Sequence, residues 1–97
     1  MFIVLLRFST HKGKASELMT DHNAWLARGM ADGVFLLAGS LQPRAGGVIL
    51  AHNSSRADLE ARVKQDPFVA HDVVSAEVLE VSSTKADPRL AFLLAES

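Results

Sequence analysis

Apolar residues follow two different spacings along the chain, and each spacing predicts a type of secondary structure. Phe2–Phe8 is short, rich in β-forming residues and almost entirely apolar, which predicts a strand that is central in a sheet or covered on both faces. After a polar break, a stripe at three- and four-residue spacing predicts a helix that ends near Asp32, because Gly33 is the type of residue that commonly follows a helix. The stripe consists of Ala15, Leu18, His22, Trp25, Leu26 and Gly29.

A hairpin and a second helix are predicted next. Residues 34–41 and 47–51 are apolar segments of strand length, and residues 42–46 between them carry turn chemistry, which predicts an antiparallel hairpin. Ser55, followed by Asp58 three residues later, is a capping-box-like helix start. We expect this helix to bury two apolar side chains and to end before a proline; these residues are Leu59, Val63 and Pro67.

The alternation of Val74, Ala76 and Val78 predicts a fourth strand, so the order of elements is β-α-β-β-α-β. This is the order of the ferredoxin-like, split βαβ α+β fold, in which both helices cover one face of an antiparallel four-stranded sheet. The other face needs a cover, and in a chain of 97 residues a second copy is the simplest source. We therefore expect a homodimer or higher homo-oligomer whose sheets meet face to face and enclose a cavity.

Composition excludes several classes of function. The chain is 48% hydrophobic and 22% charged, as is typical of one globular domain. Its net charge is -1 and its basic residues are dispersed, so we expect no nucleic-acid partner. No apolar segment approaches the roughly 20 residues of a membrane span, and the first one is too short for a signal peptide, so we expect no membrane association and a cytoplasmic location. The absence of cysteine excludes thiolate catalysis and cysteine-bound zinc.

His22 is the first candidate for chemistry. It lies in the apolar stripe of the first helix, four residues from both Leu18 and Leu26, so its ring is expected to point toward the sheet. The imidazole side chain changes charge near neutral pH, which suits it to take up and return a proton. The other interpretation is a packed, structural histidine.

Asp66 is the second candidate. It precedes Pro67 where the chain leaves the second helix, and the two helices lie side by side in a split βαβ fold, so its carboxylate can approach the first helix. There it can orient His22 and stabilise the imidazolium form. The other interpretation is an Asp-Pro turn in which the carboxylate only satisfies backbone groups.

Ser40 and Gly39 near the end of the second strand are secondary candidates for substrate binding. The Ser40 hydroxyl can donate a hydrogen bond to a substrate oxygen, and Gly39 allows the close approach of a ligand or a neighbouring backbone. Ser40 can equally be a polar residue at a strand terminus. No histidine pair has metal-ligand spacing, and Gly46-Gly47 does not lead into a helix as a phosphate loop does, so no metal site is expected.

Five short motifs follow one another along the chain: His22-x-x-Trp25-Leu26, Gly33, Leu37-Ala38-Gly39-Ser40-Leu41, Gly46-Gly47, and Asp66-Pro67-Phe68. In this order they resemble the YCII-related domain family. The resemblance covers residues 1–82, which we take as the domain. It leaves residues 83–97 as a C-terminal extension.

The resemblance implies a dimeric α+β barrel, similar to muconolactone isomerase, with an active-site pair that is His22 and Asp66 here. One class of family members removes chloride from chlorinated hydroxyhydroquinones, while most have no assigned reaction. Two positions depart from the pattern. Met19 stands where the family often has an arginine, and Ser40 stands where Ala-Gly is often followed by proline. The first difference removes a positive charge from the substrate side.

The C-terminal extension has its own helix signal. Asp87 followed by Pro88 is an N-cap with proline at the first helical position, and residues 90–95 can form a further turn or two. Because several of these residues are apolar, we expect this short helix to dock, for example on the partner subunit.

Two classes of function fit these features. The first is an enzyme without a cofactor, in which His22 and Asp66 move a proton during elimination, such as dehydrochlorination, or isomerisation of a small molecule in the dimer cavity. The second is a non-catalytic module for small-ligand binding or dimerisation, in which the same pair serves recognition or stability. A cofactor-independent oxygenase is a third hypothesis, suggested by related dimeric barrels.

Overall fold

The four predicted strands form one antiparallel sheet in the order β2-β3-β1-β4 in the computed structural model, which describes residues 1–94. The strands and helices are β1 (Phe2–Phe8), α1 (Ala15–Ala31), β2 (Phe35–Leu41), β3 (Gly46–Ala51), α2 (Arg56–Lys64), α3 (Pro67–Ala70) and β4 (Val74–Glu80). Short 3₁₀ helices lie at Lys12–Lys14 and Pro88–Leu93. The predicted ferredoxin-like α+β fold is therefore confirmed. None of the helices in residues 1–94 is long and apolar enough to cross a membrane.

Strand β1 occupies a central position between β3 and β4, which explains why it is nearly all apolar. Successive side chains of a strand point to opposite faces. Phe2, Val4 and Leu6 therefore lie on the helix-covered face, where all three are buried. Ile3 and Leu5 point to the opposite face and are only half-buried.

Helix α1 lies against the sheet through Trp25 and Gly29, the two buried residues of its apolar stripe. The Trp25 indole N–H donates to the carbonyl of Arg62 at 3.0 Å, which connects α1 to the end of α2. The helix ends as predicted, because Gly33 adopts the left-handed conformation with φ 74°. On the helix-covered face of the sheet, the Trp25 ring contacts the Phe35 ring edge-on, with ring centroids 5.0 Å apart.

The region around Pro67 differs from the prediction. Helix α2 begins as expected, with the Ser55 side chain accepting the N–H of Asp58 at 3.1 Å, and ends at Lys64. Pro67, however, does more than stop a helix, because it opens the one-turn helix α3. Proline suits a first helical position, where its fixed φ is helical and its missing N–H leaves no bond unmade. Asp66 thus becomes the N-cap of a helix.

The face of the sheet opposite the helices is open in the single chain. Directly paired strand residues share a face, so the register assigns a continuous set of apolar side chains to this open face. Each of them is half-buried or exposed; they are Ile3, Leu5, Leu37, Leu41, Val48, Leu50 and Leu79. An ion pair between Arg7 and Glu77, at 2.7 Å, borders this set on the same face.

The C-terminal extension forms the predicted short helix. The Asp87 carboxylate accepts the N–H of Arg89 at 2.9 Å and caps the 3₁₀ helix Pro88–Leu93. Leu93 is buried against its own chain, and the Phe92 ring meets His52 edge-on at 5.6 Å between centroids. Of the predicted stretch 90–95, residue 95 lies outside the described residues. Packing of this extension on a partner subunit stays a prediction.

Candidate functional site

A cleft of about 310 Å³ opens between α1, α3 and the helix-covered face of the sheet. Its walls combine the first half of α1 with strand ends: the end of β1, the last residues of β2, and the starts of β3 and β4. Apolar side chains and glycines form most of the lining, which consists of Leu6, Phe8, Met19, His22, Asn23, Leu26, Ala38, Gly39, Ser40, Gly46, Gly47, Phe68 and Val74.

His22 and Asp66 are in direct contact at this cleft. The Nδ1 atom of His22 lies 2.7 Å from Oδ1 of Asp66, although the two residues are 44 positions apart in sequence. The His22 side chain is 11% exposed and the Asp66 side chain is fully buried. Helix α1 supplies the histidine and the cap of α3 supplies the carboxylate, so the proximity of the two residues depends on the packing of α1 against α3.

Phe68 contacts both members of this pair. Its backbone N–H donates to Oδ1 of Asp66 at 3.0 Å, which fixes the carboxylate. Its ring stacks on the His22 imidazole with centroids 3.9 Å apart and an angle of 4° between the planes. The turn that begins at Pro67 therefore positions the acceptor atom and the imidazole plane together.

His22 is the side-chain partner of the buried Asp66 carboxyl group. Burial of a carboxylate is costly unless a partner of opposite charge or strong hydrogen bonds compensate for the lost water. Oδ1 has two partners, but Oδ2 is buried and has no hydrogen-bond partner among the described residues. His22 is therefore the one side chain among residues 1–94 that hydrogen-bonds to this buried carboxyl group.

The geometry defines the tautomer of a neutral His22. An ionised carboxylate only accepts hydrogen bonds, so the proton of the neutral imidazole resides on Nδ1 and is donated to Asp66. Nε2 then carries the free lone pair, and it has no hydrogen-bond partner among residues 1–94. The ring lines the cleft. The arrangement can thus accept a proton at Nε2 from a molecule in the cleft and return it.

Ser40 and Gly39 both border the cleft, in different ways. Ser40 pairs with Gly47, and Gly47 pairs with the buried Leu6, so all three lie on the helix-covered face. Gly39 pairs with Val48, and a side chain at Gly39 would point to the open face. Ser40 therefore presents its side chain on the cleft side, whereas Gly39 contributes backbone only.

Three lining residues with polar or aromatic side chains were not predicted as site residues: Phe8, Asn23 and Phe68. Asn23 borders the cleft beside His22, and Phe68 lines it from α3. The spacing of residues along α1 carries a signal for Asn23. Met19, Asn23 and Leu26 follow a second helical stripe, displaced by one position from the buried one, and all three face the cleft.

The remaining histidines lie apart from this pair. His11 has Nδ1 3.3 Å from the carbonyl oxygen of His71, and His52 contacts Phe92. In the part of the chain that the structure describes, three or more histidine, aspartate and glutamate side chains nowhere converge in a way that could hold a metal ion.

The cleft is formed within one chain, on the helix-covered side of the sheet. A cavity enclosed between two open faces would lie on the opposite side, away from His22 and Asp66. The register gives the reason. The strand residues that line the cleft with their side chains, among them Leu6 and Ser40, belong to the same face as the core.

Comparison with solved structures supports this fold. The chain is similar to 5-chloro-2-hydroxyhydroquinone dehydrochlorinase (TftG) from Burkholderia phenoliruptrix AC1100 in complex with 2,5-dihydroxybenzoquinone, with a TM-score of 0.68. The similarity covers 86% of this chain and 95% of the dehydrochlorinase chain, at 15% sequence identity. At this identity the likeness establishes the fold alone. No curated protein matches the sequence.

A family model provides the assignment. The model of the YCII-related domain matches residues 1–82, which include all strands, helices α1 to α3 and both members of the histidine–aspartate pair. The match therefore spans the whole cleft and leaves out only the C-terminal extension. The chain belongs to the family of proteins with a YCII-related domain.

Proposed function

We propose that this protein is a small-molecule enzyme in which His22 and Asp66 carry out a cofactor-independent proton transfer during elimination, with dehydrochlorination as the leading reaction and isomerisation as the related one. The observation that carries the proposal is the 2.7 Å contact between His22 Nδ1 and Asp66 Oδ1 beside an open cleft. The similarity in fold to a dehydrochlorinase adds support for elimination chemistry.

The proposed elimination uses Nε2 of His22 as the base. In a hydroxylated aryl chloride, tautomerisation first moves a hydroxyl proton to the ring carbon that bears chlorine and makes that carbon tetrahedral. Nε2 then removes the proton of a second hydroxyl, whose electron pair forms a C=O bond while the ring double bond shifts toward the carbon that loses chloride. Chloride departs with the two electrons of the C–Cl bond. The elements of HCl thus leave the substrate as a proton bound to His22 and a free chloride ion. Asp66 holds the imidazole through Nδ1 and stabilises the imidazolium that forms.

The surroundings of the pair favour this role. The apolar lining reduces contact with water, and charge interactions are stronger where water is displaced. Phe68 on one face of the imidazole leaves the ring little freedom to rotate. Isomerisation would use the same steps, with the proton returned from Nε2 to a second atom of the substrate. Neither reaction needs an oxidant or a reductant, so an acid–base pair is sufficient.

Chloride release from 5-chloro-2-hydroxyhydroquinone under anaerobic conditions is the direct test. We expect the wild type to release chloride faster than the buffer alone. His22→Asn should lower the rate by roughly 10²- to 10⁴-fold, the usual contribution of a positioned acid–base group. Asparagine is the informative replacement, because its amide can occupy the position of Nδ1 and still donate to Asp66 while Nε2 is lost.

His71→Asn is the matched control, since His71 is exposed and does not line the cleft. Equal rates for His22→Asn and His71→Asn would contradict the catalytic role of His22. If the wild type accelerates neither this elimination nor isomerisation of small cyclic substrates, the binding-module function takes precedence. That alternative draws on the double role of Asp66, which also caps α3.

We further propose that the protein is a homodimer whose subunits meet through the open face. The supporting observation is the continuous row of half-buried and exposed apolar side chains across all four strands, centred on Leu5, Val48 and Leu50. A domain of this size gains much of its missing apolar burial from such an interface. The exposed Leu90 and Phe92 of the C-terminal extension are proposed to pack on the second copy.

A further inference from the structure

Among residues 1–94, the lining of the cleft includes neither lysine nor arginine. Among the described residues around it, the polar side chains are His22, Asn23 and Ser40, and neither lysine nor arginine is present. Met19 stands on α1 one turn before His22 and extends apolar surface along the same wall. A ligand with a carboxylate or phosphate group would therefore have no arginine or lysine to pair with in this cleft.

The histidine–aspartate pair offers no net positive charge that could take the place of a lysine or arginine. With His22 protonated and Asp66 ionised, the pair is neutral overall, and with His22 neutral the pair is negative. The compensation is local, since Nδ1 and Oδ1 are 2.7 Å apart and Asp66 is fully buried. An anion placed against Nε2 thus meets either a cancelled charge or a repulsive one.

The part of the cleft floor formed by β2 and β3 has small side chains. Gly47 and Ala38 lie on the helix-covered face next to Ser40. A Cβ atom built on Gly47 would have one heavy atom of the protein within 4 Å, the carbonyl oxygen of Gly39 at 3.4 Å, and would otherwise project into free space. The missing side chain of Gly47 therefore leaves room that a ligand can fill.

Two phenylalanines also line the cleft, Phe68 from α3 and Phe8 from the helix-covered face of β1. Phe68 and Phe8 present rings to the cleft, and the volume of about 310 Å³ lies at the lower end of the roughly 300–1,000 Å³ typical of small-molecule sites. A flat ring fits over the glycine of the floor and beside these phenylalanines, where stacked or edge-on contacts are favourable. The polar groups His22, Asn23 and Ser40 can then bind oxygen atoms at its edge.

We infer that the cleft selects uncharged, planar, single-ring molecules that carry hydroxyl or carbonyl oxygens, and that Gly47 and Met19 are its specificity-determining residues. Gly47 sets the depth available to the ring, and Met19 keeps the wall free of positive charge. This inference names the substrate class of the proposed enzyme and in that sense rests on the proposed function. Binding alone can test it, independently of turnover.

Two ring compounds of nearly equal shape provide the probes. At pH 7.5, 4-hydroxybenzamide is uncharged and 4-hydroxybenzoate is an anion. Titration of each into the wild type, followed by backbone amide NMR shifts, should give saturable binding of 4-hydroxybenzamide with shifts centred on residues of the cleft. We expect 4-hydroxybenzoate to bind at least about tenfold more weakly, because a buried carboxylate without a partner is unfavourable. Equal or tighter binding of the benzoate, or saturation by neither probe at millimolar concentration, would overturn the inference.

Variants separate charge from shape. Met19→Arg should reverse the preference in favour of 4-hydroxybenzoate, and an unchanged preference would contradict the role of Met19. Gly47→Val should weaken binding of 4-hydroxybenzamide at least about tenfold by filling the floor. Gly13→Ala is its control, because Gly13 lies outside the lining of the cleft and no heavy atom lies within 4 Å of the added methyl group. If Gly47→Val does not fold, Ala38→Leu replaces it as the variant that fills the floor, from strand β2. Binding of 4-hydroxybenzamide as in the wild type, by whichever of the two variants folds, would refute the role of the floor.

The two hypotheses fail in different ways. Selective binding of the uncharged probe without chloride release or isomerisation would refute the enzyme and leave the ligand class standing. Chloride release together with equal binding of both probes would support the enzyme and refute the ligand class.

Discussion

The ring of Phe68 stacks on the ring of His22 at 3.9 Å, while the backbone N–H of the same phenylalanine donates to the carboxylate of Asp66. One residue of the turn thus holds both partners of the proposed catalytic pair. Such positioning matters because a catalytic base works only when its ring is held in the orientation that points its lone pair at the substrate. A ring that is free to turn loses activity.

Phe68→Leu should therefore lower chloride release without unfolding the protein. Leucine keeps the backbone bond to Asp66 and loses the flat contact with His22. We expect a fall in kcat of about tenfold or more with a smaller change in KM, and a loss of roughly 1–3 kcal/mol in the free energy of unfolding from reduced packing. Phe92→Leu is the matched control, because it removes a phenylalanine–histidine contact outside the cleft. A proportional loss of activity in both variants would contradict the positioning role of Phe68.

Removal of His22 should affect stability in a way that depends on the replacement. In His22→Leu the Asp66 carboxylate stays buried with one backbone partner, and such a broken pair typically costs about 3–5 kcal/mol. In His22→Asn the amide can replace Nδ1, so the free energy of unfolding should stay within about 1 kcal/mol of the wild type. Urea denaturation at pH 7 measures both values. Equal stability of the two variants would show that the contact with Asp66 contributes little to folding.

Gly29 in α1 should resist replacement by alanine, although alanine favours helices. A Cβ atom at Gly29 would collide with the Phe35 ring, and Phe35 is itself buried, with its ring edge-on to that of Trp25. We expect Gly29→Ala to lower the free energy of unfolding by about 1–3 kcal/mol through overpacking. Gly13→Ala, with no heavy atom within 4 Å of the added methyl, is the control and should be neutral or stabilising. A stabilising effect at Gly29 would refute this close approach.

The open face should control the oligomeric state. Leu50 lies near its centre, paired with Ile3 and Leu37, so Leu50→Glu places a charge within the proposed interface. Light scattering coupled to gel filtration should give a dimer mass for the wild type and a monomer mass for Leu50→Glu. Ala61→Glu, on the exposed side of α2, should leave the mass unchanged. A monomeric wild type would refute the dimer.

Asp87 should titrate below the ordinary range of an aspartate. The side-chain hydrogen bond from Arg89 is the main cause that lowers the pKa of Asp87, and the backbone N–H of Arg89 adds to it. A lowered pKa means that the charged cap supports the 3₁₀ helix at neutral pH and loses this effect as the pH falls through the folded-state value. Carboxyl NMR should record a higher pKa for Asp87 in Arg89→Gln. An unchanged pKa would contradict the role of the Arg89 side chain.

The sequence by itself determined the four strands, the two longer helices and their order. Helix and strand periods, the Ser55 cap and the left-handed Gly33 depend on interactions between residues close in the chain, so a single sequence carries them. The topology followed, because few folds accommodate β-α-β-β-α-β. The family motifs predicted that His22 and Asp66 act as a pair.

Only the tertiary structure decided what surrounds that pair. The contact between His22 and Asp66 joins α1 to α3, and α3 itself was missed, since four residues are too few to show a helical period. The roles of Phe68, Asn23 and Gly47 depend on which side of α1 meets which strand ends. The sequence placed the cavity between two open faces, whereas the register puts the cleft on the helix-covered side. Contacts across long stretches of chain arise from packing of the whole domain, and no local pattern encodes them.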